Sequence, residues 1–261
     1  MSDLKGKRAL VGGSTQGIGR AVAELLAARG AEITLIARNP ETLAQTAAGL
    51  STDHGQSHDF IAVDYHDTAA VREAVASRLA QSNPYHILVN NTGGPPGGPI
   101  TDATADAFLS AFNAHLVNNH QLAQLLVPGM AAEGYGRIIN LISTSVKAPL
   151  KGLGVSNTVR AAVGNWSKTL SIELGPKGIT VNNVLPGATK TQRLTSIIEN
   201  KAAKLGKSIE EVEQAMLEEI PMGRFASAEE VAEAVCFLAS PAASYISGIN
   251  IPVDGGRTPT L

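Results

Sequence analysis

Seven short apolar runs, rich in β-branched residues, recur along the chain: Arg8 to Val11, Ile33 to Ala37, Phe60 to Val63, Ile87 to Asn90, Ile138 to Ile142, Thr180 to Val184 and Ile249 to Val253. Continuous apolar runs bounded by Gly, Asn or Pro suit strands that are covered on both faces. Between them lie amphipathic stretches at helical spacing. Examples are Ala21, Val22, Leu25, Leu26 and Ala28 in the first, and Leu109, Phe112, Leu116, Leu122, Leu125 and Leu126 in the fourth. This alternation predicts a doubly wound α/β architecture, a parallel seven-stranded sheet with helices on both faces. No linker or internal repeat interrupts it, so 1–261 reads as a single domain. The segment from Thr191 to Ile220 stands apart, with Glu199, Lys201, Lys204, Lys207, Glu210, Glu211 and Glu218 at helical spacing and a break at Gly206. Ligands of open α/β sheets bind beyond the carboxyl ends of the strands, so a helical excursion at about 191–220 is placed to cover a site. A solvated charged helix pair is the alternative.

Composition narrows the function classes. Of 261 residues, 44% are apolar and 17% charged, enough apolar material for a large core, and disorder is excluded as the main state. A formal net charge of -2 leaves no global basic field, so nucleic acid is not expected as principal partner. The lone cysteine, Cys236, lies in an apolar helical stretch and fits a reducing compartment. The start, Met1 to Lys7, is polar and shows neither a membrane span nor a secretory signal. These features predict a soluble, cytoplasmic protein with no membrane partner.

The first strand is followed by Gly12-Gly13-Ser14-Thr15-Gln16-Gly17-Ile18-Gly19 and then a helix. Glycines permit positive φ and close backbone approach, and free N–H groups at a helix start favour a pyrophosphate, so Gly13 to Gly19 are candidate cofactor-binding residues. A dinucleotide site also reads the adenosine ribose at the end of the second strand, where an acid suits a bare 2′-hydroxyl and an arginine suits its phosphate. Here the sequence is Ala37-Arg38, which predicts NADP(H) in preference to NAD(H).

With further motifs in order, the chain resembles the short-chain dehydrogenase/reductases over essentially its whole length, most closely the 3-oxoacyl-carrier-protein reductase type. The matching pieces are Val63-Asp64, Asn90-Asn91-Thr92-Gly93, Gly136 to Asn140, Pro186 to Thr191, Pro221 to Phe225, Tyr245 to Gly248 and Val253 to Gly256. The resemblance implies a Rossmann-type fold and a carbonyl or alcohol as small-molecule substrate. It implies that Asp64 bonds the adenine amino group, that Asn91 and Gly93 lie beside the adenosine ribose, and that Pro186, Gly187 and Thr191 approach the nicotinamide end. It further implies a homotetramer or homodimer. Asp64 can also be read as the N-cap of the helix from Thr68.

The family's reaction uses a tyrosine to protonate the carbonyl oxygen, a lysine to tune it, a serine to bind the oxygen and an asparagine to support a proton-relay water. No Tyr-x-x-x-Lys occurs: Ala69, Val89, Ile139 and Ile249 stand four positions after the four tyrosines. By the same resemblance Ser143 fills the serine position, Ser156 the tyrosine position, Arg160 the lysine position and His115 the asparagine position. Serine is a poor acid, Arg160 keeps a fork of donors that can hold the cofactor's ribose hydroxyls but does not shuttle protons, and imidazole titrates near neutrality. Two readings follow. Either the protein is an NADP(H)-dependent oxidoreductase whose proton donor has moved, to His115 or a water held by it, or it is a redox-inactive nucleotide-binding or regulatory protein or a non-redox enzyme. Lys147 and Lys151 are further candidates for positive charge near substrate, and the loop Thr92 to Pro99 offers a backbone-rich wall to it. The six histidines show no metal-ligand arrangement, and His54 and His58 read as surface residues of a loop.

Overall fold

The computed structural model describes residues 3–260; the first two residues of the polar start and Leu261, the end of the tail, lie outside the described residues. Seven strands form one sheet: β1 (Arg8–Gly12), β2 (Glu32–Ala37), β3 (Asp59–Ala62), β4 (Ile87–Asn90), β5 (Gly136–Leu141), β6 (Ile179–Pro186) and β7 (Asn250–Val253). Their order is β3-β2-β1-β4-β5-β6-β7, and every neighbouring pair is parallel. Each strand falls on one of the seven apolar runs, with ends shifted by a residue or two.

Both faces of the sheet are covered, which is why the strands read as continuous apolar runs. On one face, Val22 and Leu26 of α1 (Gly17–Ala28) and Val231 and Val235 of α9 (Ala228–Ala239) pack with Ala9, Val11, Ile33 and Leu35. On the other, Val71 and Val75 of α3 (Thr68–Ala80) and Leu122 and Leu126 of α5 (Asn118–Ala132) pack with Leu10, Ile36, Leu88 and Ile138. The remaining helices are α2 (Pro40–Ala48), α4 (Ala105–Phe112), α6 (Gly154–Leu174), α7 (Gln192–Leu205) and α8 (Ile209–Glu218). Cys236 is buried in the α1–α9 layer.

Within this apolar sheet runs a polar ladder. Asn90, Asn140, Asn183 and Asn250 are register partners on β4 to β7. Asn90 Nδ2 donates to Asn140 Oδ1 at 2.8 Å, Asn140 Nδ2 to Asn183 Oδ1 at 2.9 Å, and Asn183 Nδ2 to Asn250 Oδ1 at 2.8 Å. A slip of one residue would turn every rung to the opposite face, so the ladder fixes the register of the half-sheet that carries the catalytic positions.

Three local expectations are corrected. The fourth amphipathic stretch is not one regular helix: α4 passes through a π-turn, Asn113–Val117, into α5. The N-cap of α3 is Asp67, whose side chain accepts from Ala70 N–H at 2.9 Å; Asp64 instead accepts from His66 N–H at 3.0 Å. His58 is no free surface residue, since Nδ1 accepts from Ile33 N–H at 3.1 Å and Nε2 lies 2.8 Å from the Ser51 carbonyl, tying the loop before β3 to β2. The excursion after β6 is helical as expected. Leu194, Ile198 and Ala202 of α7 and Val212 of α8 bury themselves with Ile220 and Phe225, so the pair has an apolar interior of its own.

Replacing Asn140 by Leu leaves the buried Asn90 amide and Asn183 carbonyl oxygen without their partner. Urea denaturation is expected to show a loss of about 2–4 kcal/mol with an unchanged m-value, whereas a loss below about 0.5 kcal/mol would mean the ladder adds nothing.

Candidate active site

The strand order reverses between β1 and β4, and the loops that leave these neighbours diverge to open a crevice beyond their carboxyl ends. Asn91, directly after β4, bridges it: Nδ2 donates to the carbonyl of Gly12 at 3.1 Å and of Gly13 at 3.4 Å. This contact explains the glycines. A Cβ on Gly12 would stand 2.6 Å from the Asn91 carbonyl oxygen, and one on Gly19 would stand 2.6 Å from Asn91 Nδ2. Gly13 and Gly17 have φ of 56° and 53°, in the left-handed region. The side chain of Asn91 is thus committed to the glycine turn.

Ser14 is buried, and its Oγ accepts from Ile36 N–H at 3.1 Å, fixing the turn to β2; Thr15 and Ile18 are half-buried and Gln16 is exposed. Helices α2, α3, α4, α7, α8 and α9 each start under a side-chain cap, from Asn39, Asp67, Thr104, Thr191, Ser208 and Ser227. Helix α1, like α6, does not: Gln16 makes no capping bond and the first turn holds no acidic residue. Its first N–H groups stay available to an anion, and with the bare glycine backbone they fit the pyrophosphate of a dinucleotide. Arg38, just past β2, is exposed and joins no ion pair among the described residues. Asp64 and Gly93 are exposed near the ends of β3 and β4. Tyr65 is buried against the glycine turn, and burial pushes its hydroxyl pKa up, so it wedges the turn rather than titrates.

The four expected catalytic positions come together at the carboxyl end of β5. Ser143 caps a short 3-10 turn, its Oγ accepting from Ser145 N–H at 3.1 Å. Arg160, one turn along α6 from Ser156, donates through Nε to Ser156 Oγ at 3.2 Å and through Nη1 to the carbonyls of Leu141 at 3.1 Å and Ile142 at 2.8 Å. The guanidinium is therefore fixed beside Ser143. Burial, then the positive charge of Arg193, lowers the pKa of Arg160 to about 10, so it stays charged at neutral pH. His115 lies in the π-turn, a distortion often found at functional sites, and is buried. Burial first, then the charge of Arg160, with lesser contributions from Arg193 and His66, hold its pKa down to about 3, against an opposing hydrogen bond to the Gly93 backbone. The imidazole is neutral at physiological pH, which disfavours imidazolium as the moved proton donor. It can still hold a water.

Other walls come from β6 and the helices after it. Pro186 ends β6, and Gly187 passes so close to Asp254 that a Cβ would lie 2.7 Å from the Asp254 Cβ. Thr191 caps α7 through Oγ1, at 3.4 Å from Leu194 N–H, while its methyl would lie 3.2 Å from a Cβ on Gly17. The excursion thus begins directly over the glycine turn. Arg193 Nη2 then donates to the Pro95 carbonyl at 3.0 Å, tying α7 to the proline loop, which is itself pinned by Gly98 N–H to the Gly152 carbonyl at 2.8 Å. Lys147 is half-buried and Lys151 exposed. Sequence reasoning missed Arg193, because a lone arginine at the start of a charged helix carries no motif. Among the described residues no group of three or more His, Cys, Asp or Glu is placed to hold a metal, and no helix is long and apolar enough to cross a membrane.

A glycine cradle at the switch point of a parallel sheet defines a Rossmann-type α/β protein built for a dinucleotide. The model of the family described as Enoyl-(Acyl carrier protein) reductase matches residues 13–258. The chain is 32% identical over 256 residues to the 3-oxoacyl-[acyl-carrier-protein] reductase of Vibrio harveyi, covering 97% of this chain and 98% of that one. It is 30% identical over 261 residues to an NADPH-dependent reductase of Bacillus subtilis, covering 98% and 99%. Among solved structures, L-sorbose reductase from Gluconobacter frateurii, complexed with NADPH and L-sorbose, superposes with a TM-score of 0.92 at 34% identity, over 100% of both chains. The protein belongs to the short-chain dehydrogenase/reductase family of oxidoreductases.

The depressed pKa of His115 makes a stability prediction. Between its unfolded value, about 6.5, and about 3, the unfolded chain binds a proton that the folded protein refuses. Stability present above about pH 6.5 is therefore lost as pH falls, by up to about 1.4 kcal/mol per unit. Urea denaturation at about pH 7 and about pH 4.5 is expected to show a loss about 2 kcal/mol smaller for His115→Asn than for the parent, the lowered His86 contributing to both. Equal losses would mean that His115 takes up its proton in the folded state.

Proposed function

We infer that the protein is an NADP(H)-dependent oxidoreductase acting on a small-molecule carbonyl or alcohol, with a proton route that does not use a Tyr-Lys pair. The observation that carries this reading is the cradle: glycines packed against Asn91, with the uncapped start of α1 above them. The exposed, unpaired Arg38 supports the 2′-phosphate, and the NADPH named with the relatives agrees with it. Asp64 supports the adenine amino group, Gly93 the adenosine ribose, with Asn91 acting there through the turn it holds. Pro186, Gly187 and Thr191 support the nicotinamide end.

Bound NADPH supplies a hydride to the carbonyl carbon; the chain does the rest. The Ser143 hydroxyl, which accepts from Ser145 N–H, has its proton free to donate to the carbonyl oxygen. The fixed charge of Arg160 stabilises the negative charge that develops on that oxygen, and Ser156 steadies the guanidinium through Nε. With no phenol beside the oxygen, the proton comes from water, held at the neutral ring of His115. The proposed assembly is a homodimer or homotetramer, supported by exposed apolar side chains on α4 and α6 (Leu109, Phe112, Ile172) and around α9 and β7 (Phe237, Tyr245, Ile249).

Fluorescence titration is expected to show NADPH binding about 10–100-fold tighter than NADH, a preference lost in Arg38→Asp. In a carbonyl screen, Ser143→Ala is expected to lower kcat by about 10²-fold or more. No saturable binding of either nucleotide would overturn the reading. Tight NADPH binding with no hydride transfer to any carbonyl would favour the second one, a nucleotide-responsive binding protein, which the missing tyrosine motivates.

A further inference from the structure

The crevice holds more positive charge than the hydride chemistry uses: beside Arg160 stands Arg193, which has no part in it. Arg160 directs its hydrogen bonds to neutral oxygens only, those of Ser156, Leu141 and Ile142, and its Nη2 makes none. Arg193 donates only to the Pro95 carbonyl, through Nη2, leaving Nε and Nη1 free. Neither arginine joins an ion pair among the described residues, although six other arginines do. The two converge: a Cβ on Gly94 would lie 3.0 Å from Arg193 Nη2 and 3.4 Å from Arg160 Nη2. A residue with any side chain at Gly94 would occupy the space the two guanidiniums face.

Such a pair is costly as it stands. Like charges at close range repel, and after burial the charge of Arg193 disfavours the charged form of Arg160. His115 is buried beside them, and after burial the charge of Arg160, with a smaller contribution from Arg193, disfavours a proton on it. Among the described residues no carboxylate pairs with either arginine, so an anion entering the crevice would offset this charge. The position says which one. The cofactor's pyrophosphate has the glycine turn and the start of α1, and its 2′-phosphate has Arg38. Arg160 is locked to the end of β5 next to Ser143, on the substrate side, and Arg193 rises from the first turn of α7, which starts over the glycine turn, and meets Arg160 at Gly94.

We propose that Arg160 and Arg193 form a binding site for a carboxylate on the substrate, which carries that group in addition to the carbonyl or hydroxyl that reacts. The proposal rests on the oxidoreductase reading for the identity of the reacting group. The free Nη2 of Arg160 and the free Nε and Nη1 of Arg193 supply donors from two sides, a geometry suited to both oxygens of one carboxylate. Because Arg193 belongs to α7, the same contact holds the excursion down over the bound substrate, and Gly94 provides the room.

The test uses pairs of probes that differ only in charge: pyruvate with methyl pyruvate, and levulinate with methyl levulinate. Binding of each is measured by calorimetry to the full-length protein with and without NADP+, for the parent and for Arg193→Gln. The expected result is an acid-over-ester preference of about 10-fold or more in the parent, falling to about 1 in Arg193→Gln, with the NADPH Kd of the variant within about threefold of the parent. Equal affinity for acid and ester, binding of no acid in the panel, or a preference that survives in Arg193→Gln overturns the proposal. So does a fall of about 10-fold in NADPH affinity in Arg193→Gln, which would place that arginine on a cofactor phosphate. A parent that binds no NADPH yet prefers the acids would refute the oxidoreductase reading alone and leave the carboxylate site standing.

Discussion

The amide of Asn91 spans the point where the sheet reverses its strand order, and the geometry of the crevice depends on that bridge. The Asn91 backbone carbonyl and the Tyr65 hydroxyl at Gly12, and the Asn91 side-chain amide at Gly13, leave no room for side chains there, so the turn must be glycine, and a glycine turn lets a ligand's phosphates approach bare backbone. The asparagine ladder extends the same control across the sheet. Its rungs at Asn90, Asn140 and Asn183 lie within three residues of Asn91, Ser143 and Pro186, so the three loops that face the crevice leave the sheet at a fixed relative height. Buried hydrogen bonds thus serve the site by holding register, at a place where apolar packing alone tolerates a slip.

On the function proposed above, the reacting centre relies on fixed charge more than on proton exchange. Arg160, with its pKa near 10, and His115, near 3, do not change charge around neutrality, and the hydroxyls of Ser143 and Ser156 do not ionise there. What remains is a hydrogen-bond donor, a half-buried cation and a neutral imidazole, all held by the backbone at the end of β5 and by the π-turn. Preorganised dipoles and charge of this kind stabilise a developing alkoxide without titrating. The arginine at the mouth of the excursion adds a second cation, and the net result is a cleft shaped electrostatically for an anion.

The sequence showed strands and cofactor turn well and the reacting centre only in outline. Parallel strands buried on both faces announce themselves as apolar runs, and the glycines stand where sterics admit nothing else. Features that depend on side-chain direction were hidden. The ladder consists of polar residues scattered in apolar runs, and only register shows that they meet. The π-turn shifts backbone bonds by one residue while leaving the apolar spacing nearly intact, so the stretch around His115 reads as one helix. Asp64 and Asp67 are equivalent as caps on paper, and hydrogen bonding chose Asp67. The depressed pKa of His115 follows from burial beside two arginines, one of which, Arg193, is distant in the chain and belongs to no motif.

The central claim is that a fixed cation and a water, rather than a titrating acid, serve the reacting oxygen. The most direct measurement is the pH dependence of kcat for NADPH oxidation, with the keto acid that the parent protein turns over fastest. A flat profile is expected from about pH 5 to about pH 8.5, since His115 at about 3 and Arg160 at about 10 lie outside that range. A sigmoid or bell-shaped profile with a midpoint inside that range, abolished in His115→Asn, would contradict it by showing that imidazole donates the proton after all.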